Sequence, residues 1–484
     1  MARDTLPREL LHRARLFHRA LLTAPRSIVL TGAGCMALAA SSDLANTFDA
    51  PRRGGPFITL LLFTTLALAF VFFIRATLPT HPPAKARSKS DTLPGILRRF
   101  QPYLTYLILL WVLITALQSP VILGRGLIRG FTQWPPSYGS DDLYYNHYNA
   151  TLVLHGENPY TGIRLLDEVR YFDKLDFTPL ARGRFANPRH YPSRAEMDAV
   201  MREYQAHPQT VPVEIDPRTM HSYPAGAFLV NLPTVWLGIP SVAVAQIAAL
   251  LVLLCLILWA TPRPWRLVAA LLLLSTADGI RQVTGGDFEI WPLAFVAGAW
   301  LAREHRWRSA LLLGAACAIK QTAWIAAPFY LLWVWRTYGR SEAIHRVGMM
   351  LGAFLALNLP WIIASPRPWL ESQLLPVTLP LLPDGSGIIG LSLTGILPLA
   401  PSMFYSIVEL AALLAALAWY WRAAPRAPSA GLILPLVPLF FAWRSSERYF
   451  VLLPLLAVVA LALTLRHTQT LPQKGRRELK GEQA

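Results

Sequence analysis

The amino-acid sequence predicts an all-α integral membrane protein, and three of its properties carry that prediction. The chain has 484 residues, of which 54% are hydrophobic. Only 15% are charged, whereas soluble proteins carry about 25% charged residues. The apolar residues also fall into blocks whose lengths are close to the ~20 residues that a helix needs to cross a bilayer. We therefore expect a bundle of about eleven to thirteen transmembrane helices.

The apolar segments follow one another along most of the chain, and two of them are expected to depart from a simple span. Tyr223–Gly238 is short and is interrupted by Asn231 and Pro233, so we expect it not to cross fully. Ser309–Trp335 carries Lys320 at its middle, so we expect a bend there. The other segments are Ser27–Asn46, Pro56–Arg75, Pro102–Gly124, Ser241–Ala260, Trp265–Ile280, Phe288–Ala302, Val347–Ala364, Met403–Trp421, Ser429–Ala442 and Tyr449–Leu465.

The net charge of +17 is explained better by a membrane protein than by a protein that binds nucleic acid. Arg and Lys gather at the ends of apolar segments, where positive charge orients membrane helices and contacts anionic lipid. We therefore expect membrane lipids as partners and no nucleic acid. The basic N-terminal tail and the basic stretch Arg75–Phe100 predict a multi-pass protein of the cytoplasmic membrane with its N-terminus in the cytoplasm.

Three regions are expected along the chain. Residues 1–101 hold a basic tail, two transmembrane helices and a cytoplasmic linker, and residues 102–466 form the transmembrane core. Residues 467–484 are a basic cytoplasmic tail. The core includes a long extracytoplasmic loop at 125–222, which exceeds a simple connection. We expect short helices on the membrane surface there, one of them capped by Ser193 with Glu196 at the capping-box position.

The predicted topology sorts the polar loops into two groups. The inner loops are basic connectors, whereas nearly every acid near the membrane falls in the outer loops. This asymmetry predicts a binding or catalytic face on the outer side. The outer stretches are GSDDLYYNHY, HSYPAG, DGIRQVTGGDFE, the bend at Lys320–Gln321, PRPWLESQLLPVTLPLLPDGSG and WRSSERY.

The sequence predicts neither a disulfide nor a metal site. Cys35, Cys255 and Cys317 lie far apart inside apolar segments, with no spacing of Cys or His that suits a metal. An Asp-x-Asp metal pattern does not accompany the first acidic pair either. We expect chemistry that uses no metal and no cofactor.

The stretch GSDDLYYNHYNATLVLHGENPY (Gly139–Tyr160) sets two acids just beyond an apolar segment. Ser140, Asp141 or Asp142 is placed to cap a helix over Leu143–His155. Either carboxylate is also placed to act as a general base, and one acid can cap while the other reacts. Gly156 is a typical residue for the end of that helix.

Aromatic and imidazole side chains follow the two acids on the same predicted helix. Tyr145 and Tyr148 fall on one face at helical spacing, and Tyr144 and His147 fall on another. Packing against a core and contact with a sugar ring both suit this pattern. The sequence leaves those two alternatives open.

Four stretches, taken in order, resemble a family of membrane enzymes. DLYYNHYNATLVLHGENPY is similar to the pattern that follows the first core helix in GT-C-type membrane glycosyltransferases. The resemblance is closest to glycosyltransferase family 87, the polyprenol-phosphate-mannose-dependent mannosyltransferases of bacteria, and it covers Pro102 to Leu465. The other three stretches are SYPAGAFLVNLP, TGGDFEIWPLAFVAGAWLAREHRWRSALLLGAACAIKQTAWIAAPFYLLWVWR and WRSSERYFVLLPLL.

The sequence also departs from this family. It has Tyr223-Pro224-Ala225 where the family has Tyr-Pro-Pro, and Gly286-Asp287 where the family has Gly-Gln. Two additional N-terminal spans precede the helix that resembles the first one of the family.

The resemblance implies a GT-C-like fold and a reaction. A sugar, mannose in the first instance, would pass with inversion from a polyprenyl-phosphate donor to a lipid or glycan acceptor at the outer membrane face. An aspartate of the first outer loop would deprotonate the acceptor hydroxyl. Asp142 matches that residue, because Ala150 and Gly156 keep the family's spacing from it, and Asp141 is the alternative.

A leaving phosphate is anionic, so such a site needs cations where the charge develops. Lys320 is the strongest candidate, because an ionisable residue within an apolar segment indicates a functional site. Its alternative is extension of the side chain to the membrane interface. Arg281, Arg444 and Arg448 are further candidates, although Arg444 and Arg448 also have Glu447 or lipid headgroups as possible partners.

Four further residues are candidates for contact with the acceptor. Asp287 and Glu289 suit acceptor hydroxyls, or alternatively an ion pair with Arg281. His221 and Tyr223 suit the lining of the acceptor cleft.

Two other functional classes compete with this prediction. A lipid or sugar transporter, or a flippase, would place ionisable groups near the membrane midplane and often shows inverted repeats. No internal repeat is visible in the sequence, and its acids favour one face. A GT-C enzyme with another sugar or with a protein acceptor is not distinguished by the sequence.

Overall fold

The computed structural model describes residues 25–49, 54–78, 95–161, 164–172 and 177–466. This part of the chain is mostly helical with almost no strand, which confirms the all-α prediction. The predictions made for the basic tails at 1–24 and 467–484 and for the linker at 79–94 lie outside the described residues.

The described helices vary from single turns to full spans. In chain order they are α1 (Arg26–Phe48), α2 (Gly55–Thr77), α3 (Gly95–Thr132), α4 (Asp141–Leu154), α5 (Leu165–Phe172), α6 (Arg194–Ala206), α7 (Gly226–Leu229), α8 (Leu232–Trp236), α9 (Ala243–Ala260), α10 (Arg266–Leu274), α11 (Ala277–Gly285), α12 (Ile290–Leu301), α13 (Arg306–Cys317), α14 (Thr322–Tyr338), α15 (Arg340–Ala364), α16 (Pro366–Thr378), α17 (Ile388–Leu393), α18 (Ser402–Ala423), α19 (Leu436–Leu439) and α20 (Arg448–Val451).

Seven helices of the described chain are long and apolar enough to cross a membrane. They are α1, α2, α3, α9, α15, α18 and the C-terminal span Arg448–Arg466, in which helix continues after α20. The pair formed by Arg263–Leu274 and α11 is bent by 58° and adds an eighth span if it is counted as one. The chain is therefore a multi-pass membrane protein by length and composition.

This number is smaller than the predicted eleven to thirteen because several apolar segments fold as short or interrupted helices. Helix α12 has 12 residues, and Tyr223–Gly238 is divided into α7 and α8. The segment at 429–442 holds a 3₁₀ turn and the single turn α19. Prolines at 428, 435 and 438 remove backbone donors from that segment, which shortens its helices.

Two hydrophobic cores hold the described elements together. The larger one joins the spans, and Trp300, Phe329 and Tyr330 are among its fully buried side chains. The second lies under the long loop, where α4, α5 and α6 bury apolar residues such as Phe172 and Val200. Full burial of one such side chain is worth about 1.5–3 kcal/mol.

Local signals within the long loop behave as predicted. Ser193 caps α6, and its hydroxyl and the Glu196 carboxylate form a reciprocal capping box. Helix α4 ends before Gly156, which adopts the left-handed conformation with φ 77°. The expected helix over Leu143–His155 begins two residues earlier, at Asp141.

A very short parallel pairing joins two of the predicted outer stretches. Strand β1 (Asp384–Gly385) pairs with β2 (Arg444–Ser445), so that Asp384 lies opposite Arg444. Each strand has only two residues. The pairing matters because it fixes where the two segments lie. The strands hold the end of the α16–α17 connection beside the start of the C-terminal span.

Candidate active site

The six predicted outer stretches converge on one region of the molecule. A polar cleft of about 440 Å³ is lined by four of them, through residues such as Ser140, Asp287, Asp384 and Arg448. The other two supply Tyr223 and Lys320 to a charged cluster beside the cleft. This convergence is what the sorting of the loops predicts, whereas the side of the membrane on which the region lies stays a prediction.

A chain of buried charges lies at the centre of this region. Lys320 Nζ is 2.6 Å from Glu289 Oε1 and 3.2 Å from Asp142 Oδ2. All three side chains are 10% exposed or less. A buried ion pair that is broken by removal of one partner costs about 3–5 kcal/mol, so these positions depend on one another.

Lys320 occupies the break between α13 and α14, where the sequence predicts a bend. Its ammonium group lies 5.0 Å from the ring centroid of Tyr223 and 5.8 Å from that of Phe288. The alternative in which Lys320 extends to the membrane interface is wrong, because the side chain is buried among carboxylates and rings.

Both oxygens of Asp142 have partners. The Ser140 hydroxyl donates to Oδ1, and the Lys320 ammonium donates to Oδ2. Ser140 occupies the N-cap position of α4 without a side-chain cap hydrogen bond, so the predicted capping by its hydroxyl is not what the structure shows. Asp141 accepts from the backbone N–H of Asp142 and from the Thr178 hydroxyl.

Asp287 lies on the wall of the cleft and differs from the other carboxylates. Its Oδ1 accepts the backbone N–H of Glu289 at 3.3 Å, and its buried Oδ2 has no hydrogen-bond partner among the described residues. Burial raises the pKa of Asp287 to about 7, with Asp142 and Glu289 adding to the rise and Arg448 opposing it. The carboxyl group therefore titrates near neutral pH.

The candidate arginines take different partners. Arg448 is half-buried, lines the cleft and donates to the Gly139 carbonyl oxygen at 2.7 Å. Arg281 also lines the cleft and pairs with Asp278, which replaces the predicted pairing with Asp287 or Glu289. Arg444 is held by β2, and its Nη1 atom is buried with no hydrogen-bond partner among the described residues.

The predicted alternative of a pairing with Glu447 is not observed. The Glu447 carboxylate accepts the Ser42 hydroxyl at 2.5 Å. Burial raises the pKa of Glu447 to about 7. Glu447 therefore ties the start of the C-terminal span to α1.

A second cavity, a narrow apolar slot of about 60 Å³, shares Arg448 with the lining of the cleft. Glu289, Thr322 and Tyr449 supply its polar edge, and the rest of its lining is dominated by apolar side chains. These include Leu293, Val296, Leu436, Leu439 and Leu456. Arg448 thus lines both a polar space, with Asp287, and an apolar one, with Glu289.

None of the four aromatic and imidazole side chains predicted as contacts is among the residues that line the cleft. Tyr145 and His147 are buried in the core of the long loop, and the His147 ring nitrogen Nδ1 is 2.9 Å from the Tyr138 hydroxyl. Packing is therefore their role in this structure. His221 is buried beside Tyr160, at a ring distance of 6.3 Å. Tyr223, in contrast, lies against Lys320.

The N-terminal hairpin contributes a wall that sequence reasoning missed. The C-terminal end of α1 lines the cleft with Ala45, Asn46 and Asp49. The polar run SSDLANTFD within an otherwise apolar segment is the one signal that could have indicated this. Its position opposite the C-terminal span arises from tertiary packing alone.

Comparisons with known proteins add no family. No family model, curated protein or solved structure matches the chain. Across the described residues, no group of three or more His, Cys, Asp or Glu side chains is arranged to hold a metal ion.

Proposed function

We propose that this protein is a membrane glycosyltransferase. It transfers a sugar, mannose in the first instance, from a polyprenyl-phosphate donor to a lipid or glycan acceptor at the outer face of the cytoplasmic membrane. One observation carries the proposal: Arg448 lines both the polar cleft and the apolar slot, and a second cation, Lys320, lies behind the slot, where it pairs with the slot residue Glu289. The sequence resemblance to GT-C enzymes of family 87 supports the same conclusion.

The donor's chemistry matches this junction. A polyprenyl phosphate joins an apolar chain to an anion. The slot offers apolar side chains beside Arg448, and Lys320 lies next to the slot residue Glu289. Cations held in a largely desolvated site stabilise developing negative charge without reorganisation. Lys320 and Arg448 therefore bind the phosphate in the ground state and stabilise it further as it leaves.

The acceptor's chemistry matches the polar cleft. Its volume of about 440 Å³ falls within the range of small-molecule sites. Backbone groups, Ser140, Gln282 and several carboxylates line it, which suits a molecule with many hydroxyl groups. Such a lining fits a sugar better than an apolar ligand.

The reaction balances without a further reactant. The acceptor oxygen forms a bond to the anomeric carbon while the bond from that carbon to the phosphate oxygen breaks. The phosphate keeps the electron pair, and a carboxylate of the site takes the acceptor's proton. The resemblance assigns that last role to Asp142, with Asp141 as the alternative.

Purified protein in liposomes, incubated with radiolabelled polyprenyl-phosphate-mannose and a membrane lipid extract, tests the proposal. The expected result is a labelled product whose formation is lost in Lys320→Met. If mannose, glucose and arabinose donors all fail to bind the folded protein, the transferase proposal is wrong. Movement of labelled lipid across the vesicle without product would instead support the transporter alternative.

A further inference from the structure

The resemblance and the geometry point to different carboxylates as the proton acceptor. Asp142 Oδ1 and Oδ2 are occupied by Ser140 and Lys320, and the side chain is 7% exposed. Asp142 is also not among the residues that line the cleft. Both oxygens of this carboxylate therefore already accept hydrogen bonds from neighbouring side chains, one of them from an ammonium ion.

Asp287 is as buried as Asp142, but it differs in its position and in the partners of its oxygens. It lines the cleft, and its Oδ2 has no hydrogen-bond partner in the described part of the chain. A buried polar atom without a partner is costly, by about 1–3 kcal/mol, and it is uncommon in native proteins. Gln282 Oε1, which belongs to another residue of the cleft wall, is likewise buried and unpartnered. Both atoms only accept hydrogen bonds, so they match the hydroxyl donors of a sugar.

The backbone holds Asp287 firmly in this position. Its N–H donates to the Gln282 carbonyl oxygen at 3.0 Å. The preceding Gly286 has φ 94°, and a Cβ there would lie 2.8 Å from atoms of Tyr138 and Leu143. The turn therefore packs directly on the start of α4, which also carries Asp142. Proton acceptor and cation holder are thus parts of one rigid unit.

We infer that Asp287 is the general base of the proposed reaction and that Asp142 is a positioning residue that holds Lys320. This inference rests on the proposed function. A rotation of the Asp287 carboxyl group exposes Oδ2 to the cleft, where the acceptor hydroxyl donates to it. As the acceptor oxygen attacks the anomeric carbon, its proton passes to Asp287 Oδ2 and the phosphate leaves with the electron pair.

The charges around Asp287 fit this role. The groups that face it are Asp142 from α4, Glu289 from the start of α12, Lys320 from the α13–α14 break and Arg448 from the C-terminal span. Burial, with the two carboxylates, raises its pKa to about 7 against the opposing effect of the cations. General bases are most effective when their pKa lies near the working pH.

The test compares Asp287→Asn with Asp142→Asn, using radiolabelled polyprenyl-phosphate-mannose and a membrane lipid extract at pH 5.5–8.5. Asp287→Asn should lower kcat by about 10²–10⁴-fold, leave the KM for the donor within a few-fold, and abolish the inflection of the rate near pH 7. Asp142→Asn should raise the KM for the donor and keep that inflection.

Three outcomes overturn the inference. One is an Asp287→Asn variant with near-normal kcat and the same inflection, and another is an Asp142→Asn variant that loses the inflection. If Asp287→Asn does not fold, Asp287→Glu is measured instead. The third outcome is an unchanged inflection of the rate in Asp287→Glu. Wild-type protein that is folded but binds no donor overturns the proposed function itself, which separates the two failures.

Discussion

Two buried charged networks lie at opposite ends of α13, and they differ in whether they border a cavity and unpartnered acceptor atoms. Lys320 follows its C-terminal end, and Ser309 near its N-terminal end belongs to the other network, which centres on Arg346. From Ser309 to the end of the helix at Cys317 the chain rises roughly 12 Å, and Lys320 follows in the break. Both networks include contacts between distant parts of the chain, such as Asp142 with Lys320 and Arg303 with Arg346.

The Arg346 network is closed. Its Nε donates to Glu342 at 2.9 Å, and its Nη1 lies within hydrogen-bond distance of the Arg303 carbonyl oxygen, Ser309 and Tyr330. The Lys320 network instead borders a cleft and has an unpartnered oxygen on Asp287 nearby. A buried charge whose hydrogen bonds are all made within the protein stabilises the fold. A buried charge that lies beside a cavity, near acceptor atoms without partners, is available to a ligand.

The largest expected effect comes from removal of the cation shared by two acids. Lys320→Met leaves Asp142 and Glu289 buried without compensation, which should cost about 3–5 kcal/mol of unfolding free energy and abolish transfer. Thermal unfolding measures the loss of stability, and the transfer assay measures the loss of activity. The triple variant Lys320→Met/Asp142→Asn/Glu289→Gln should recover stability while remaining inactive. Recovered activity would contradict a direct role for Lys320.

The closed network should respond in stability alone. Arg346→Met removes hydrogen bonds to Ser309, Tyr330 and a carbonyl oxygen, which should cost about 1–3 kcal/mol. Activity per folded molecule should be unchanged. Arg306→Met is the matched control, because its half-exposed pairing with Glu342 is worth about 0–1 kcal/mol. A loss of activity per folded molecule in Arg346→Met would contradict the view that the Arg346 network contributes to stability alone.

A smaller effect concerns pH and the carboxyl group of Asp287. Its folded pKa of about 7 lies above the unfolded value, so its contribution to stability is full below the unfolded pKa and is lost as pH rises through 7. Between pH 5 and 8 the wild type should lose on the order of 1–3 kcal/mol more stability than Asp287→Asn.

Thermal unfolding across that range measures the difference. Glu447 also has a pKa of about 7, but it is present in both proteins, so the comparison isolates Asp287. Equal slopes would show that Asp287 does not titrate in this window.

The smallest effect lies in the second core. Glu168 is fully buried, and neither of its carboxyl oxygens has a hydrogen-bond partner among the described residues. Burial raises its pKa well above the usual range. Glu168→Met should raise the unfolding free energy by about 1 kcal/mol, more at pH 8 than at pH 5. Thermal unfolding at the two values checks this, and a loss of stability would reveal a partner for Glu168.

The features that the sequence predicted share a local or compositional origin. Apolar blocks indicate spans, Ser193 and Glu196 indicate a cap, and Lys320 within an apolar segment indicates a break and a buried charge. Each of these features depends on residues a few positions apart, or on the free-energy cost of placing a charged side chain in apolar surroundings.

The features that were not predicted depend on distant pairings. Glu289 and Asp142 meet at Lys320 although the chain separates Asp142 from Lys320 by 178 positions. Tyr145 and His147 fit a sugar ring and a core equally well by spacing, and only the structure shows that both are buried, with His147 against Phe172. The assignment of Asp142 as the base stays a prediction, and the hydrogen bonds to both of its oxygens are contacts that no sequence pattern reports.

The contact between Ser42 and Glu447 has a consequence for biogenesis. It joins the first described span to the last across 405 positions, and both residues' neighbourhoods supply walls of the same cleft. During synthesis α1 enters the membrane long before its partner exists. The cleft is therefore completed only when the final span has been inserted, so partially translated chains lack one of its walls.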